Sequence, residues 1–419
     1  MVKTGRDFSE NVYLTKTTAT VIECCEYKGR MAIVTDHTVF FPEGGGQSSD
    51  RGFLSFEEGG TELRYEVTEV QENEGTIYHI LGDDYASGKA LPASDSECTL
   101  EIEWEHRFEN MQRHCGEHIL SGIFYREFGG INRGFHMGDE YMTIDISLEE
   151  EAKVSELGRE DCKLAERLAN QVIYENLPIT IRHFDSKAEA EKQPMRKKLS
   201  IENDITLVGI GSTENDWGCV ACCGTHPSAT GQVGMLKIYK VEPNKGMFRI
   251  YFEAGSRAFA RYQEDFDTLT ELGRRLSAGS GDILSKYDSQ AEKNREKGYQ
   301  LTMLKKEVIA REAKSIIEEL PGSGFFSRGY SILSLDDLSQ LAREIGPKVP
   351  SGKLAFLIHE PSTTVLLVSS GSVDCGKLVR DNASIYNGKG GGNDTLARAI
   401  FTKDEYIETF IDLLEKHLR

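Results

Sequence analysis

The sequence has no apolar run approaching the roughly 18 residues that a membrane-spanning helix needs. Its opening stretch, Met1 to Glu10, is polar and lacks the apolar core of a secretion signal. A membrane or exported protein is therefore not expected, and the cytosol is the expected compartment. Positive charge is also in short supply: 49 Lys and Arg stand against 68 Asp and Glu, a formal charge of −19. Such a balance repels a polyanion at long range, so a nucleic-acid partner requires local clustering of basic residues. Lys187, Lys192, Arg196, Lys197 and Lys198 form one such cluster. Disulfides are disfavoured as well, because nine cysteines is an odd number in a long chain without an export signal. No period of about 20–50 residues repeats, which excludes a solenoid or propeller.

What is present is ordinary globular material. A 39% hydrophobic and 28% charged composition suits packed cores, and 419 residues exceed one core, so several domains are expected. From Val12 to about Leu100, short β-rich runs such as Tyr13–Cys24 and Met31–Phe41 alternate with glycine turns. The pattern predicts a small β-barrel or sandwich over residues 1–100. A helical pattern at Asn110–Phe128, a charged helical stretch at Leu148–Glu175 and strand-like runs at Tyr141–Ile146, Pro178–Phe184, Thr206–Ile210 and Phe248–Phe252 predict a mixed α+β domain over 101–255. Phe259, Tyr262, Phe266, Leu269, Leu272 and Leu276 then recur at helical spacing. With a second run from Ile283 to about Leu320, broken off at Gly279–Gly281, they predict a helical hairpin over 256–320 whose apolar stripe is packed. Pro321–Gly324 ends it, and the last hundred residues read as a C-terminal α/β domain, 321–419. The fold class expected is α+β.

His114 and His118 lie four apart in a helical segment, so both imidazoles leave one face and can converge on one ion. A second pair follows in Gly218-Cys219-Val220-Ala221-Cys222-Cys223-Gly224-Thr225-His226, where Cys222 and His226 are again four apart. One thiolate and three imidazoles make a tetrahedral set that suits zinc. Cys219 with Cys222 forms a competing Cys-x-x-Cys, so the thiolate ligand is Cys222 by preference, with Cys219 as the substitute. His114-Cys115-Gly116-Glu117-His118 also fits the H-x-x-E-H pattern of zinc peptidases, in which the glutamate activates water. A downstream Cys-x-x-x-His argues against that alternative.

Phe41-Pro42-Glu43-Gly44-Gly45-Gly46-Gln47 follows a β-run, and three consecutive glycines expose backbone N–H groups that can wrap an oxyanion or carboxylate. Taken in order, Asp36-His37-Thr38-Val39-Phe40-Phe41-Pro42-Glu43-Gly44-Gly45-Gly46-Gln47, then His114 with His118, then Cys222-Cys223-Gly224-Thr225-His226, the chain resembles the alanyl-tRNA synthetase editing domain and its free-standing AlaX-type relatives. Lesser matches are Gly134–Gly138, Thr143–Asp145, Thr230–Gly234 and Arg249–Phe252, so the resemblance spans about 10–260. Tyr386-Asn387-Gly388-Lys389-Gly390-Gly391-Gly392-Asn393-Asp394 resembles, more loosely, the glycine-rich loop of the synthetases' C-terminal domain. Two positions depart from the pattern: Cys223 stands where the family commonly has glycine, and Asn393-Asp394 is an unusual continuation of the tail's loop. No class II synthetase catalytic domain is found.

The resemblance implies a stand-alone aminoacyl-tRNA deacylase that hydrolyses the ester of serine, and of glycine as a second substrate, on alanine tRNA. It implies zinc at His114, His118, Cys222 and His226, a substrate cradle at Gly44, Gly45, Gly46 and Glu117, and Thr38 and Gln47 as the polar residues that meet the serine hydroxyl. Editing needs such residues, because a site built to hydrogen-bond the hydroxyl can reject alanine, which lacks it. Partners implied are the tRNA acceptor end and, through the hairpin or tail, a second copy of the chain. The alternative from another class is a zinc-stabilised tRNA-binding protein without catalysis.

Overall fold

The computed structural model describes residues 3–82, 85, 90–150, 152–211, 219–320 and 325–418. Gly218 and the Pro321–Gly324 break lie outside the described residues. The contacts divide the chain into two compact units, Met1–Thr270 and Glu271–Arg419.

The first unit opens with six strands: β1 (Lys16–Tyr27), β2 (Arg30–Thr35), β3 (Gly52–Glu58), β4 (Thr61–Asn73), β5 (Thr76–Leu81) and β6 (Glu97–Ile102). They close into a barrel in the order β1-β2-β5-β4-β3-β6. Alternation builds it. Leu54 and Phe56 on β3, Tyr65 and Val67 on β4, and Cys98 and Leu100 on β6 point inward to a core that also holds Val21, Ile33 and Ile77. The glycine turn sits in the β2–β3 connection, with Gly44 and Gln47 exchanging backbone hydrogen bonds at 3.1 and 3.0 Å.

Helix α1 (Trp104–Phe128) follows at once and ends on Gly129, whose φ of 66° closes it in the left-handed conformation that glycine allows. Nearly all of α1 beyond its first turn is buried. Ile119, Leu120, Ile123 and Phe124 face the apolar core against β7 (Gly130–Met137) and β8 (Met142–Leu148). Arg107, Asn110, His114, Glu117, His118 and Ser121 make a polar stripe on the same helix, also buried. Buried polar side chains need partners, and this stripe finds them. Arg107 donates from Nε to Asp50 at 2.8 and 2.9 Å and from its amino groups to the carbonyls of Val12 and Val39. Asp50 in turn accepts from the Phe41 N–H at 2.6 Å. The pair thus ties α1 to the strand exit that carries the glycine turn.

Helix α2 (Arg159–Tyr174) is shorter than the charge pattern over Leu148–Glu175 suggests, because Asp161 turns back to accept from the Gly158 N–H at 2.9 Å and fixes the start there. Three further strands, β9 (Ile179–Ser186), β10 (Asn203–Ile210) and β11 (Val220–Ala221), form a small antiparallel sheet in that order, while β12 (Leu236–Asn244) and β13 (Met247–Ala254) join β8 and β7 in the order β12-β13-β8-β7. Helix α3 (Gly255–Leu276) leaves β13 and carries the division between the units.

In the second unit, α4 (Ile283–Glu319) runs towards a five-stranded sheet made of β14 (Phe326–Tyr330), β15 (Ala355–His359), β16 (Thr364–Val368), β17 (Lys389–Gly392) and β18 (Leu396–Ile400), ordered β14-β15-β16-β18-β17. Ala355, Leu357, Leu366 and Val368 face Ile309, Ala313 and Ile316 of α4 and Leu338 and Leu341 of helix α5 (Leu335–Ile345). The alternate residues Phe356, Val365 and Leu367 face Val379 of α6 (Cys375–Asn382) and Phe410 and Leu414 of α7 (Asp404–Leu418). Helices cover both faces of this α/β layer, and the whole chain is of the α+β class. The packed stripe expected on α3 is a correction: Phe259, Tyr262 and Phe266 are each more than half exposed. Helical spacing specifies a face without specifying what covers it.

Candidate metal centre

Two polar stretches far apart in sequence meet at α1. The Cys222–His226 loop follows β11, and one donor atom from each of His114, His118, Cys222 and His226 lies within 4.8 Å of the others. The Cys222 sulfur is 3.4 Å from Nε2 of His114 and 3.4 Å from Nε2 of His226. The three imidazole centroids are 4.7–4.9 Å apart.

The neighbours fix which nitrogen is free on two of the rings. Gln47 Oε1 accepts from the Thr225 N–H at 3.0 Å and lies 2.8 Å from His114 Nδ1, while Gln47 Nε2 donates to Thr225 Oγ1 at 2.8 Å. An amide oxygen only accepts, so Nδ1 of His114 carries the proton and Nε2 presents its lone pair to Cys222. Glu117 Oε2 does the same for His118, at 3.1 Å from Nδ1. That leaves His118 Nε2 buried with no hydrogen-bond partner among the described residues, and His226 Nδ1 is likewise unpartnered. Orphaned buried nitrogens are uncommon. Burial holds the His114 imidazole down to about 4, against an opposing pull from Glu117, and burial likewise drives His118 and His226 well below the usual histidine range. All three are therefore neutral at pH 7, as ligation requires. Burial pushes the Cys222 thiol up to about 12, so a nearby divalent cation is what would make it a thiolate. Three neutral imidazoles, one thiol, the orphaned His118 Nε2 and two orienting partners fit a zinc ion.

Space here is tight. A Cβ on Gly224 would lie 2.3 Å from His114 Cε1 and Nδ1, and one on Gly46, whose φ is +82°, would meet the Phe135 ring at 2.7 Å. Phe135 lies against the His114 ring at 5.6 Å between centroids. A cleft of about 410 Å³ opens onto the donors, with Gly45, Glu117, Asn132, Phe135, Lys197 and Cys223 in its wall.

The structure places the other expected site residues as follows. Glu117 lines the cleft and accepts from Asn132 Nδ2 at 2.7 Å and from the Ser121 hydroxyl. Gly45 lines the same cleft and Gly44 a smaller one that also has Cys223 in its wall. Gln47 is fully buried behind His114. Thr38 is fully buried too: its hydroxyl lies 2.7 Å from His79 Nε2 and accepts from the Phe40 N–H at 3.0 Å, and it does not line the cleft. Cys219 stays outside the donor group, with its sulfur accepting from Arg182 at 3.4 Å. Thr225, Asn132, Ser121 and Phe135 escape sequence reasoning. Thr225 sits inside the Cys222–His226 motif and Phe135 inside Gly134–Gly138, so both could have been flagged; Asn132 and Ser121 reach the site only through β7 and the turn of α1, for which no local signal exists.

Residues 205–251 match the family model for the threonyl and alanyl tRNA synthetase second additional domain. An alanyl-tRNA editing protein, AlaX-L, of Pyrococcus horikoshii is 26% identical with 99% of both chains covered. An alanine–tRNA ligase of Ignicoccus hospitalis is 29% identical over 99% of this chain and 42% of the ligase, and one of Methanopyrus kandleri is 27% identical over 94% of this chain and 43% of the ligase. The chain therefore spans less than half the length of these ligases. End to end, the chain is similar to an editing protein of the AlaX type and to a portion of the alanyl-tRNA synthetases.

Proposed function

We propose that the chain is a trans-editing aminoacyl-tRNA deacylase that removes serine, and secondarily glycine, from the acceptor end of alanine tRNA in the cytosol. The observation that carries this reading is the convergence of His114, His118, Cys222 and His226 beside the glycine turn and an open cleft, in a chain similar over 99% of its length to an alanyl-tRNA editing protein.

His114, His118, Cys222 and His226 would hold zinc, which supplies a positive charge at the floor of the cleft and pins α1 to the Cys222–His226 loop. Four protein donors would leave no open position on such an ion, so the attacking water would be activated by the tRNA's own terminal hydroxyl or by a nearby side chain. Gln47 and Glu117 act as positioning residues through His114 and His118. Thr38 spends its hydroxyl inside the barrel, so it supports the Phe40–Gly46 strand exit instead of meeting the serine hydroxyl. Gly45, at the cleft wall, gives the ester a close approach to backbone. The H-x-x-E-H peptidase alternative is less favoured, because Glu117 is engaged by Ser121, Asn132 and His118.

A closed four-donor set is also what purely structural zinc sites have, which favours, as second reading, a zinc-stabilised tRNA-binding protein. Incubation with serine-charged and alanine-charged tRNA separates the two. Selective release of serine is the expected outcome; binding of both without release would establish the second reading instead.

A further inference from the structure

Two cations beside the cleft have no role in the reading above. Arg196 is held by the main chain: its N–H donates to the Cys219 carbonyl at 3.0 Å and its Nη1 to the His118 carbonyl at 3.0 Å. Its Nε is buried and has no hydrogen-bond partner among the described residues. Lys197, the next residue, lines both the main cleft and a small hollow that it shares with Arg196, Glu117 and Asn132. Neither cation is paired with a carboxylate among the described residues. The carboxylate that acts on both is Glu117, and its oxygens are already engaged by Ser121, Asn132 and His118. Arg133, the other cation in the cleft wall, is bound to Glu149.

This is an unusual arrangement energetically. Burying a guanidinium is costly unless an anion or a full set of acceptors compensates, and burial pulls Arg196 below its ordinary range, opposed by Glu117, while Lys197 beside it is exposed. The chain carries a formal charge of −19, yet two cations lie unpaired next to the donor cluster. A guanidinium edge beside an ammonium is the combination that binds phosphate oxygens by charge-assisted hydrogen bonds, and it would offset the long-range repulsion of a polyanion at this one place.

We propose that Arg196 and Lys197 form a phosphate subsite that grips the 5′-phosphate of the nucleotide carrying the aminoacyl ester and so sets the ester's position along the cleft. The proposal rests on the deacylase reading, and its test is built to fail separately. The probes are 3′-O-seryl adenosine and the same ester bearing a 5′-phosphate, given to the full-length, zinc-loaded protein, together with a calorimetric titration of 5′-AMP. The phosphorylated ester is expected to have a kcat/KM higher by on the order of tenfold, the size of one charge-assisted hydrogen bond. Lys197→Ala and Arg196→Lys should each collapse that ratio towards one, and Lys197→Glu should weaken 5′-AMP binding by at least as much. Arg196→Lys retains the charge and removes the guanidinium edge, so it guards against a folding defect in a harsher variant. A ratio near one for the unaltered protein, or a ratio and an AMP affinity unchanged in the variants, would overturn the subsite. Should neither ester be hydrolysed, the deacylase reading fails while the AMP titration still decides whether phosphate binds at Lys197.

Discussion

At the scale of single residues, the centre depends on side chains buried behind its donors. Gln47 fixes the His114 tautomer and simultaneously clasps Thr225 in the loop that carries Cys222 and His226. Removing such an orienting partner typically weakens a metal by about 10- to 100-fold. Gln47→Ala is expected to lower zinc affinity by that factor in a competition titration with a chromogenic chelator. Unaltered affinity with lost serine release would return Gln47 to the substrate-binding role that its motif implies. His79 offers a pH prediction. Burial holds its imidazole at about 4, with its Nδ1 2.8 Å from the Ile33 carbonyl and its Nε2 on Thr38, against roughly 6.5 in an unfolded chain. A depressed folded value means that the unfolded state binds the extra proton first. The stabilisation from keeping His79 neutral is therefore full above pH 6.5 and is lost as pH falls through 4, an amount of about 3 kcal/mol. Denaturant unfolding between pH 7 and pH 4 should show the unaltered protein losing more stability than His79→Gln by about that amount; parallel losses would contradict it.

At the scale of elements, legibility in the sequence depended on whether a pattern was local. The four-residue spacing of His114 and His118 and that of Cys222 and His226 are local to one helix turn and one loop, and the structure brings the two pairs together. The barrel strands were visible through their alternation, although β4, with Glu62, Arg64, Glu66, Glu69 and Glu72 on its outer positions, shows its buried face only at Tyr65, Val67 and Val70. The extent of α2 was not visible, since its start is set by one backbone contact to Asp161. In the sequence the polar stripe of α1 shows only as two histidines and a glutamate, while Arg107 and Ser121, buried on the same stripe, acquire meaning only from Asp50 and Asn132. The stripe on α3 belongs to the opposite case, a clear pattern left exposed among the described residues. Contiguous exposed apolar area of this kind marks association surfaces, and we propose a homodimer through it. Sedimentation should find a dimer that Phe259→Asp with Phe266→Asp converts to monomer; a monomeric unaltered protein would remove the proposal.

At the scale of the molecule, two compact units are present, and we retain as a proposal the finer division at about residues 100, 255 and 320. The barrel delivers the glycine turn, α1 delivers two imidazoles, and the small β9–β11 sheet delivers the thiol and the third imidazole, so the centre exists only when the first unit is fully assembled. The excess of negative charge confines any grip on RNA to places where cations are held locally, and the Arg196–Lys197 corner is such a place beside the donors.

That all of this turns on one ion shared by two distant stretches can be measured directly by X-ray absorption at the zinc edge of the full-length protein. The account predicts one equivalent of zinc with one sulfur at about 2.3 Å and three nitrogens at about 2.0–2.1 Å, with the sulfur lost in Cys222→Ala and retained in Cys219→Ala. A zinc-free protein, or a shell with two sulfurs that depends on Cys219, would contradict it.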